Sequence, residues 1–506
     1  MTGPLLYATF ITNRLICKLS TKKEEFMALY NYPAPKAPRY EEPKSVEDCL
    51  PQAREIVRKE HGRTAMGPIR KGESILIITL PDQHPYVREA ITIACKEAGA
   101  KEVTFLLPSE LTGKKERFFS VEDGWEEVQM LKDGIASGSP ETADLASGMN
   151  VAKPLLKFLK EHPEYTKVFW DLGARTQKVQ VLGEEGYRFK SNWLFNNWEE
   201  YLSRAWSFPD ELSVEIERRV IEMIGLAEEV RITDPEGTFL TFTLSAEEAK
   251  MWQQGAWLKG HLFMDPLQAT VVEAEISPHS PEALPVFRDI NGVLAGTSNH
   301  RGFFPRIELV IEHGRLVEVK GGGKYGEGIR ELNERFKNLR WPGYPEKGYF
   351  WFCDCALCTI VKAFRRTSDM FKSCWAFPNI AERNRAGVFH LGIGSRRHHE
   401  REHISYAKKH KAPLGHIHVH NYFATYEIKV RGTDYWYKIV DKGWLTPMSD
   451  PAIRALATKY GNPDDLLSYD WIPPLPGINC EGNYFRDYAP DPVGYLKKRL
   501  KEGKTI

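Results

Sequence analysis

The chain has 506 residues, 42% hydrophobic and 27% charged, with a net charge of +1, which excludes a disordered, collagen-like or low-complexity polypeptide and any strong electrostatic pull toward nucleic acid or anionic lipid. The mean hydropathy is −0.43, and no apolar run approaches the roughly eighteen residues of a membrane span, so no membrane-spanning helix is expected. Eight cysteines are too few for a disulfide scaffold in so long a chain, which points to a reducing, cytoplasmic compartment.

The length suits two or three domains. Residues 1–26 carry an apolar stretch broken by Asn13 and Arg14. They read as an extension or an upstream start, with Met27 as an alternative initiator, rather than as a secretory leader. YPAPKAPRYEEPKS, rich in proline and charge, reads as an extended arm over the surface, so residues 1–45 form an N-terminal extension.

SVEDCLPQAREIVRKEHG has helical apolar spacing, with Ser45 and Asp48 placed to cap its start. The apolar run at 74–80 predicts a strand buried on both faces. YVREAITIACKEAGA predicts an amphipathic helix closed by Gly99, and KEVTFLLP a second buried strand. This strand–helix–strand unit implies a parallel α/β layer with a right-handed crossover, and no G-x-G-x-x-G lies at its first turn. Residues 110–150 read as a long polar excursion. VAKPLLKFLKEHPEYTKVFWDLG predicts helix then strand, and 196–229 a charged amphipathic helical stretch.

The pattern changes at Val230. VRITDPEGTFLTFTLS alternates apolar and polar residues around a turn at Asp234–Gly237. RIELVIEHGRLVEVKGGG predicts a hairpin around His313–Gly314, and the residues from 425 to 446 two or three further antiparallel strands. The expected fold is therefore α/β: an N-terminal parallel α/β domain (46–229) and a C-terminal strand-rich α+β metal-binding domain (230–506).

Eight of the fifteen histidines lie between His390 and His420. GHIHVHN places His416, His418 and His420 at alternate positions. On a strand all three share a face, with neighbouring Cα atoms about 7 Å apart and the outer pair about 13 Å apart. Two such imidazoles can grip one metal but need a further ligand from elsewhere. His390 is the one buried-looking polar residue in the glycine-rich AGVFHLGIGS. It reads equally as a core histidine or a ligand. SRRHHEREH, with His398, His399 and His403, reads as a solvated helix face. In WFCDCALC, Cys353, Cys355 and Cys358, with Cys374 beyond, could hold zinc or an iron–sulfur cluster, but the apolar surroundings favour buried core cysteines.

Several of these segments resemble one family in order and spacing. IRKGESILI with PYVREAITIACKEAGAKEV, VRITDPEGTFLTFTLS, FHLGIGS, GHIHVHN and IKVRGTDYWYKIVDKGWL together resemble the aminopeptidase T family of metallopeptidases and its mononuclear relatives, the dihydroxypyridine ring-opening dioxygenases. The resemblance spans most of residues 66–446. It implies metal binding by His390, His418 and His420, and it places Tyr426 one position from a catalytic tyrosine of the peptidases. It also implies a homodimer. The peptidases' metal-binding glutamate falls at His390, and VFRDINGVLAGTSN lacks their earlier ligand glutamate. Peptidase activity is therefore not expected. The dioxygenases carry histidine at the first position but H-x-D where this chain has H-x-H.

Three imidazoles would leave one divalent ion, Mn, Zn or Fe(II), with its full charge and open positions. That favours hydrolytic opening of a small polar carbonyl compound, cyclic substrates and C–C cleavage included. His416 suits a general acid or base, and Arg397, beside Arg396, an anionic oxygen. The alternative is an Fe(II)-dependent ring-cleaving dioxygenase, which needs a carboxylate ligand such as Glu427 or Asp434. A third reading is a non-catalytic metal- or ligand-binding protein. The expected partner is a small-molecule substrate, with no nucleic acid and no membrane.

Overall fold

The computed structural model describes residues 32–33, 35, 38–59, 66–81, 83–115, 120–133, 151–170, 187–191, 198–255, 261–263, 289–364, 371, 385–395 and 401–504. The chain has an α/β fold of two sheets. None of its described helices is long and apolar enough to cross a membrane.

The first sheet contains β1 (Ser74–Ile78), β2 (Glu102–Leu106), β3 (Tyr165–Trp170) and β4 (Arg188–Ser191), all parallel, in the order β2-β1-β3-β4. Every residue of β1 is buried because each face meets helices. Ile75 and Ile77 pack with Ala53 and Ile56 of α1 (Leu50–Arg58) and with Val87, Ala90, Ile91 and Ala94 of α2 (Pro85–Glu97). Those α2 positions recur at helical spacing, so one stripe is apolar. Leu76 and Ile78 face the other way, onto Leu155 and Leu159. The second strand differs from expectation: β2 is the edge of the sheet, and its residues are half-exposed or exposed.

The expected polar excursion contains α3 (Glu126–Lys132). Its Val128 and Leu131 join the core of the second sheet, while Met130 joins that of the first, so α3 bridges the two. The helices α4 (Ala152–Glu161) and α5 (Asp210–Ile224) follow.

From residue 227 the chain builds a second sheet, antiparallel at every described pairing. Its strands are β5 (Ala227–Thr233), β6 (Phe239–Thr243), β7 (His261–Phe263), β8 (Asn291–Ser298), β9 (Phe303–Glu312), β10 (Arg315–Gly321), β11 (Trp351–Cys358), β12 (Phe389–Gly394), β13 (His416–Asn421), β14 (Thr425–Val430), β15 (Trp436–Asp441) and β16 (Trp444–Leu445). The order is β13-β12-β11-β10-β9-β8-β6-β5-β14-β15-β16, with β7 paired to β11. The helices α6 (Gly323–Arg335) and α7 (Arg401–His410) pack on it, as do α3 and α5. The turns at 234–237 and 313–314 fall where the sequence places them, between β5 and β6 and between β9 and β10.

The sheet curls until β13 lies against β8, although the two are far apart in strand order. The Asn421 side-chain amide donates to the Ala295 carbonyl at 2.8 Å, and its oxygen accepts from the Thr238 hydroxyl at 3.0 Å. This curl carries β13 to the loop after β8, which holds His300. The proline-rich arm is tied to the far end of the sheet: Tyr32 stacks on Trp444 with ring centres 4.8 Å apart and donates to Asp441 at 2.6 Å.

Candidate metal centre

Imidazoles cluster on one face of β12 and β13. Antiparallel register sets His390 opposite His420, Gly392 opposite His418, and Gly394 opposite His416. Alternation then sends Leu391, Ile393, Ile417 and Val419 to the other face, into the apolar core. All four histidines are buried.

The third strand of the row supplies a carboxylate that sequence reading missed. In β11, Asp354 pairs with Gly392, so Asp354, Gly392 and His418 form one row across three strands. A bulge at Cys353 makes this possible, because the register shifts between Phe352 and Asp354. Had the register run on unbroken from Phe352, Asp354 would pair with Leu391 and point away from the imidazoles. The bulge re-aims it. Asp354 Oδ2 lies 3.2 Å from His390 Nε2, 3.2 Å from His418 Nε2 and 3.7 Å from His416 Nε2. Among the described residues, Asp354 Oδ1 is buried without a hydrogen-bond partner.

Gly392 leaves the gap in which these side chains meet. A Cβ there would stand 2.7 Å from the Asp354 Cβ and 3.3 Å from His416 Cδ2. Gly392→Ala is therefore expected to displace Asp354, lower metal affinity by more than about tenfold and destabilise the fold by about 1–3 kcal/mol, the usual range for overpacking. Metal titration and thermal unfolding check this; wild-type affinity in the variant would show that the row does not form the site.

Two more residues enter from outside the predicted segment. His300 lies in the turn between β8 and β9, where the Asn299 side chain accepts from the backbone of Arg301 and Gly302 at 2.9 and 3.1 Å. Its ring centre is 3.8 Å from that of His418, 5.0 Å from that of His420 and 5.4 Å from that of His390. Glu127, on α3, places Oε1 2.8 Å from His418 Nδ1 and 3.3 Å from His300 Nδ1. The approach of these two segments needs a missing side chain: a Cβ on Gly302 would lie 1.9 Å from the Val121 carbonyl oxygen.

Two overlapping sets of side chains bring their ligand atoms within 4.8 Å of one another: His300, His390 and His418, and Asp354, His416 and His418. His418 belongs to both. The chemistry of the donors fits a divalent ion: imidazole nitrogens, a buried carboxylate with an unspent oxygen, and an outer carboxylate orienting the rings. Among the described residues no cysteine joins such a set; Cys353, Cys355 and Cys358 are buried in β11.

Other expected positions fall elsewhere. His420 faces His390 in register, with ring centres 6.4 Å apart, and joins neither set. Tyr426 stacks on Phe389 at 5.2 Å, and Phe389 points from the face of β12 opposite His390. Arg396, Arg397, His398 and His399 lie outside the described residues. His403 is not on a solvated face: it is fully buried, 6.0 Å from the Trp341 ring. The carboxylate that lies against the imidazoles is Asp354 rather than Glu427 or Asp434: Glu427 pairs with Arg231 at 3.0 Å and Asp434 is exposed in a turn.

The charges of the site bind one another. Burial would push the Asp354 carboxyl up, but the charges and hydrogen bonds of His390 and His418 outweigh it and hold the group well below the usual carboxylate range. Burial likewise opposes a proton on His418, yet Glu127 and Asp354 outweigh it and raise the imidazole above its ordinary value. The signs fix a pH dependence. Without metal, the His418 contribution is full below its unfolded value of about 6.5 and is lost as pH rises through the raised folded value; that of Asp354 is present above about 3.9 and is lost as pH falls through the lowered one. A metal at Nε2 must displace the His418 proton. Metal affinity is therefore expected to climb about tenfold per pH unit below the raised value and then level off. Chelator competition across neutral pH measures it, and a flat profile would remove His418 as a ligand.

No protein-family model matches the chain, and no curated protein sequence does. Solved structures do. The 2,5-dihydroxypyridine dioxygenase from Pseudomonas putida is 13% identical, with 79% of this chain and 97% of that chain covered and a TM-score of 0.40. Wild-type AmpT (aminopeptidase T) from Thermus thermophilus is 14% identical, with 78% and 98% covered and a TM-score of 0.37. These are the two enzyme types that the sequence resembles.

Proposed function

We propose that this protein is a mononuclear metal enzyme that opens a small oxygenated ring with dioxygen. One observation carries the reading: Asp354 Oδ2 stands 3.2 Å from Nε2 of both His390 and His418 inside a buried site. Two imidazoles and one carboxylate are the donor set of non-haem iron oxygenases. A divalent ion held by Asp354 and His418, with His416 of the carboxylate set or His390 as the second imidazole, would supply the activation of dioxygen.

The chain's own residues supply orientation, charge and dryness. Asp354 offsets one unit of an ion's charge and holds the two ring nitrogens toward one point. The Glu127 carboxylate accepts from His418 Nδ1, so the opposite nitrogen faces Asp354. With His390 as the second imidazole, His416 is left as the proposed general acid or base: its ring centre lies 4.5 Å from that of His418, and its Nε2 is too far from Asp354 for a direct hydrogen bond. The buried setting excludes bulk water and limits the substrate to a small molecule.

A second reading has its own observation. His300, His390 and His418 form a set without a carboxylate, and three neutral imidazoles suit a hydrolytic zinc or manganese centre. Metal analysis of protein purified with and without air, followed by oxygen uptake on dihydroxylated pyridines, separates the two. Iron with oxygen-dependent ring opening is the expected result. Turnover of cyclic diketones under anaerobic conditions with zinc or manganese would establish the hydrolase. Bound metal with no turnover on either panel would leave a binding protein.

A further inference from the structure

We infer that Glu127 is the positioning residue of the metal centre: one carboxylate from α3 fixes the ring tautomers of His418 and His300 and so controls metal affinity. The inference rests on the metal-centre reading above. Four polar groups converge on this side chain, three through hydrogen bonds and His300 at ion-pair distance. Oε1 faces Nδ1 of His418 at 2.8 Å and Nδ1 of His300 at 3.3 Å. Oε2 accepts from the His418 backbone N–H at 3.0 Å and from the Tyr325 hydroxyl at 2.9 Å. An ionised carboxylate has about four lone-pair sites, enough to face all four groups.

The consequence is chemical. A neutral imidazole carries one N–H. With that hydrogen held at Nδ1, Nε2 presents its lone pair, and in His418 this is the atom facing Asp354. The backbone bond adds a second constraint, since the same carboxylate grips the peptide and the ring of His418 and fixes the side chain's rotation. The Tyr325 hydroxyl, within 2.9 Å of both Glu127 Oε2 and the His418 carbonyl, braces the pair from α6. Glu127 and His418 are 291 residues apart in sequence, and α3 is seated by close packing at Gly328, where a Cβ would lie 2.6 Å from Val128 Cγ1. The first half of the chain thereby sets the coordination chemistry of the second.

Glu127→Gln tests this with little change in shape. The new NH2 must replace one oxygen. In the Oε1 position it confronts two ring nitrogens and turns both histidines to the Nε2–H tautomer, with protons where lone pairs were. In the Oε2 position it confronts a backbone N–H that cannot reorient. Cobalt(II) titration of the full chain, followed by its visible spectrum, is expected to show roughly a 10- to 100-fold loss of affinity, the usual effect of removing an outer partner. Glu127→Asp, which keeps all four acceptor sites on a shorter arm, should recover part of it. Tyr325→Phe leaves both ring contacts intact and should lose much less than Glu127→Gln. If Glu127→Gln does not fold, an affinity of Glu127→Asp equal to wild type would overturn the inference. So would wild-type affinity and spectrum in a folded Glu127→Gln, or equal losses in the glutamine and Tyr325→Phe variants. A wild-type chain that binds no cobalt would instead remove the metal-centre reading itself.

Discussion

Replacing His418 by alanine is expected to empty the metal centre. His418 is the residue shared by both sets of candidate ligands, so no rearrangement within either set spares it. Metal content should fall from near stoichiometric to background in purified protein. The loss extends to the metal-free fold. The His418 ring lies between two buried carboxylates, 2.8 Å from Glu127 and 3.2 Å from Asp354. Its removal leaves both without their shared donor, a change of the kind that costs about 3–5 kcal/mol when one partner of a buried pair is deleted. Glu127 keeps His300 and Tyr325, and Asp354 keeps His390, so the lower end is expected. His420→Ala is the informative control. The resemblance to known enzymes makes His420 a ligand, whereas the geometry leaves it outside both sets, and the variant should retain its metal. Elemental analysis of the two proteins side by side decides the point; metal lost from His420→Ala and kept in His418→Ala would reverse the assignment.

Asp354→Ala should be nearly as severe, for a different reason. It removes the negative charge that makes the donor set a carboxylate one. Metal affinity should fall by more than the roughly 10- to 100-fold that an outer partner is worth, and oxygen-dependent turnover should vanish. The same change takes away one of the two carboxylates that raise the His418 pKa. The pH at which metal affinity levels off should therefore move down. Asp354→Asn keeps the volume and loses the charge, so an affinity like that of the alanine variant would show that charge, not packing, is what the metal needs. Wild-type affinity in either variant would refute Asp354 as a ligand and return the chemistry to the three-imidazole set. Metal titrations at two pH values supply both readouts.

Much of the frame was legible because local patterns carried it. The run at 74–80 and the helical stripe after it predicted a parallel strand–helix–strand unit, and β1, α2 and β2 form it, with β1 buried as expected and β2 at the exposed edge instead. The alternation in GHIHVHN placed three imidazoles on one face, which β13 realises. What escaped depends on tertiary contact. Asp354 stands in WFCDCALC, where the cysteines drew attention, and its direction depends on a bulge that no local pattern announces. Its one signal was a lone acid in an otherwise apolar strand. Glu127 lies in a stretch that read as polar excursion, and its role comes from packing against α6 and the turn at 299–302. His300 is a single histidine whose ring meets the others only because the sheet curls β13 onto β8. His403 departs from the expected solvated face because its charged neighbours mask a residue that α7 turns toward Trp341.

One cation between β11 and β13 would join all of these residues in a single site. Anomalous diffraction from crystals grown with manganese or iron tests it most directly. The expected map has a single strong peak within bonding distance of an Asp354 oxygen and His418 Nε2, with His390 or His416 completing the set. A map with metal in the crystal but none there, and with Asp354 still hydrogen-bonded directly to the two imidazoles, would contradict it.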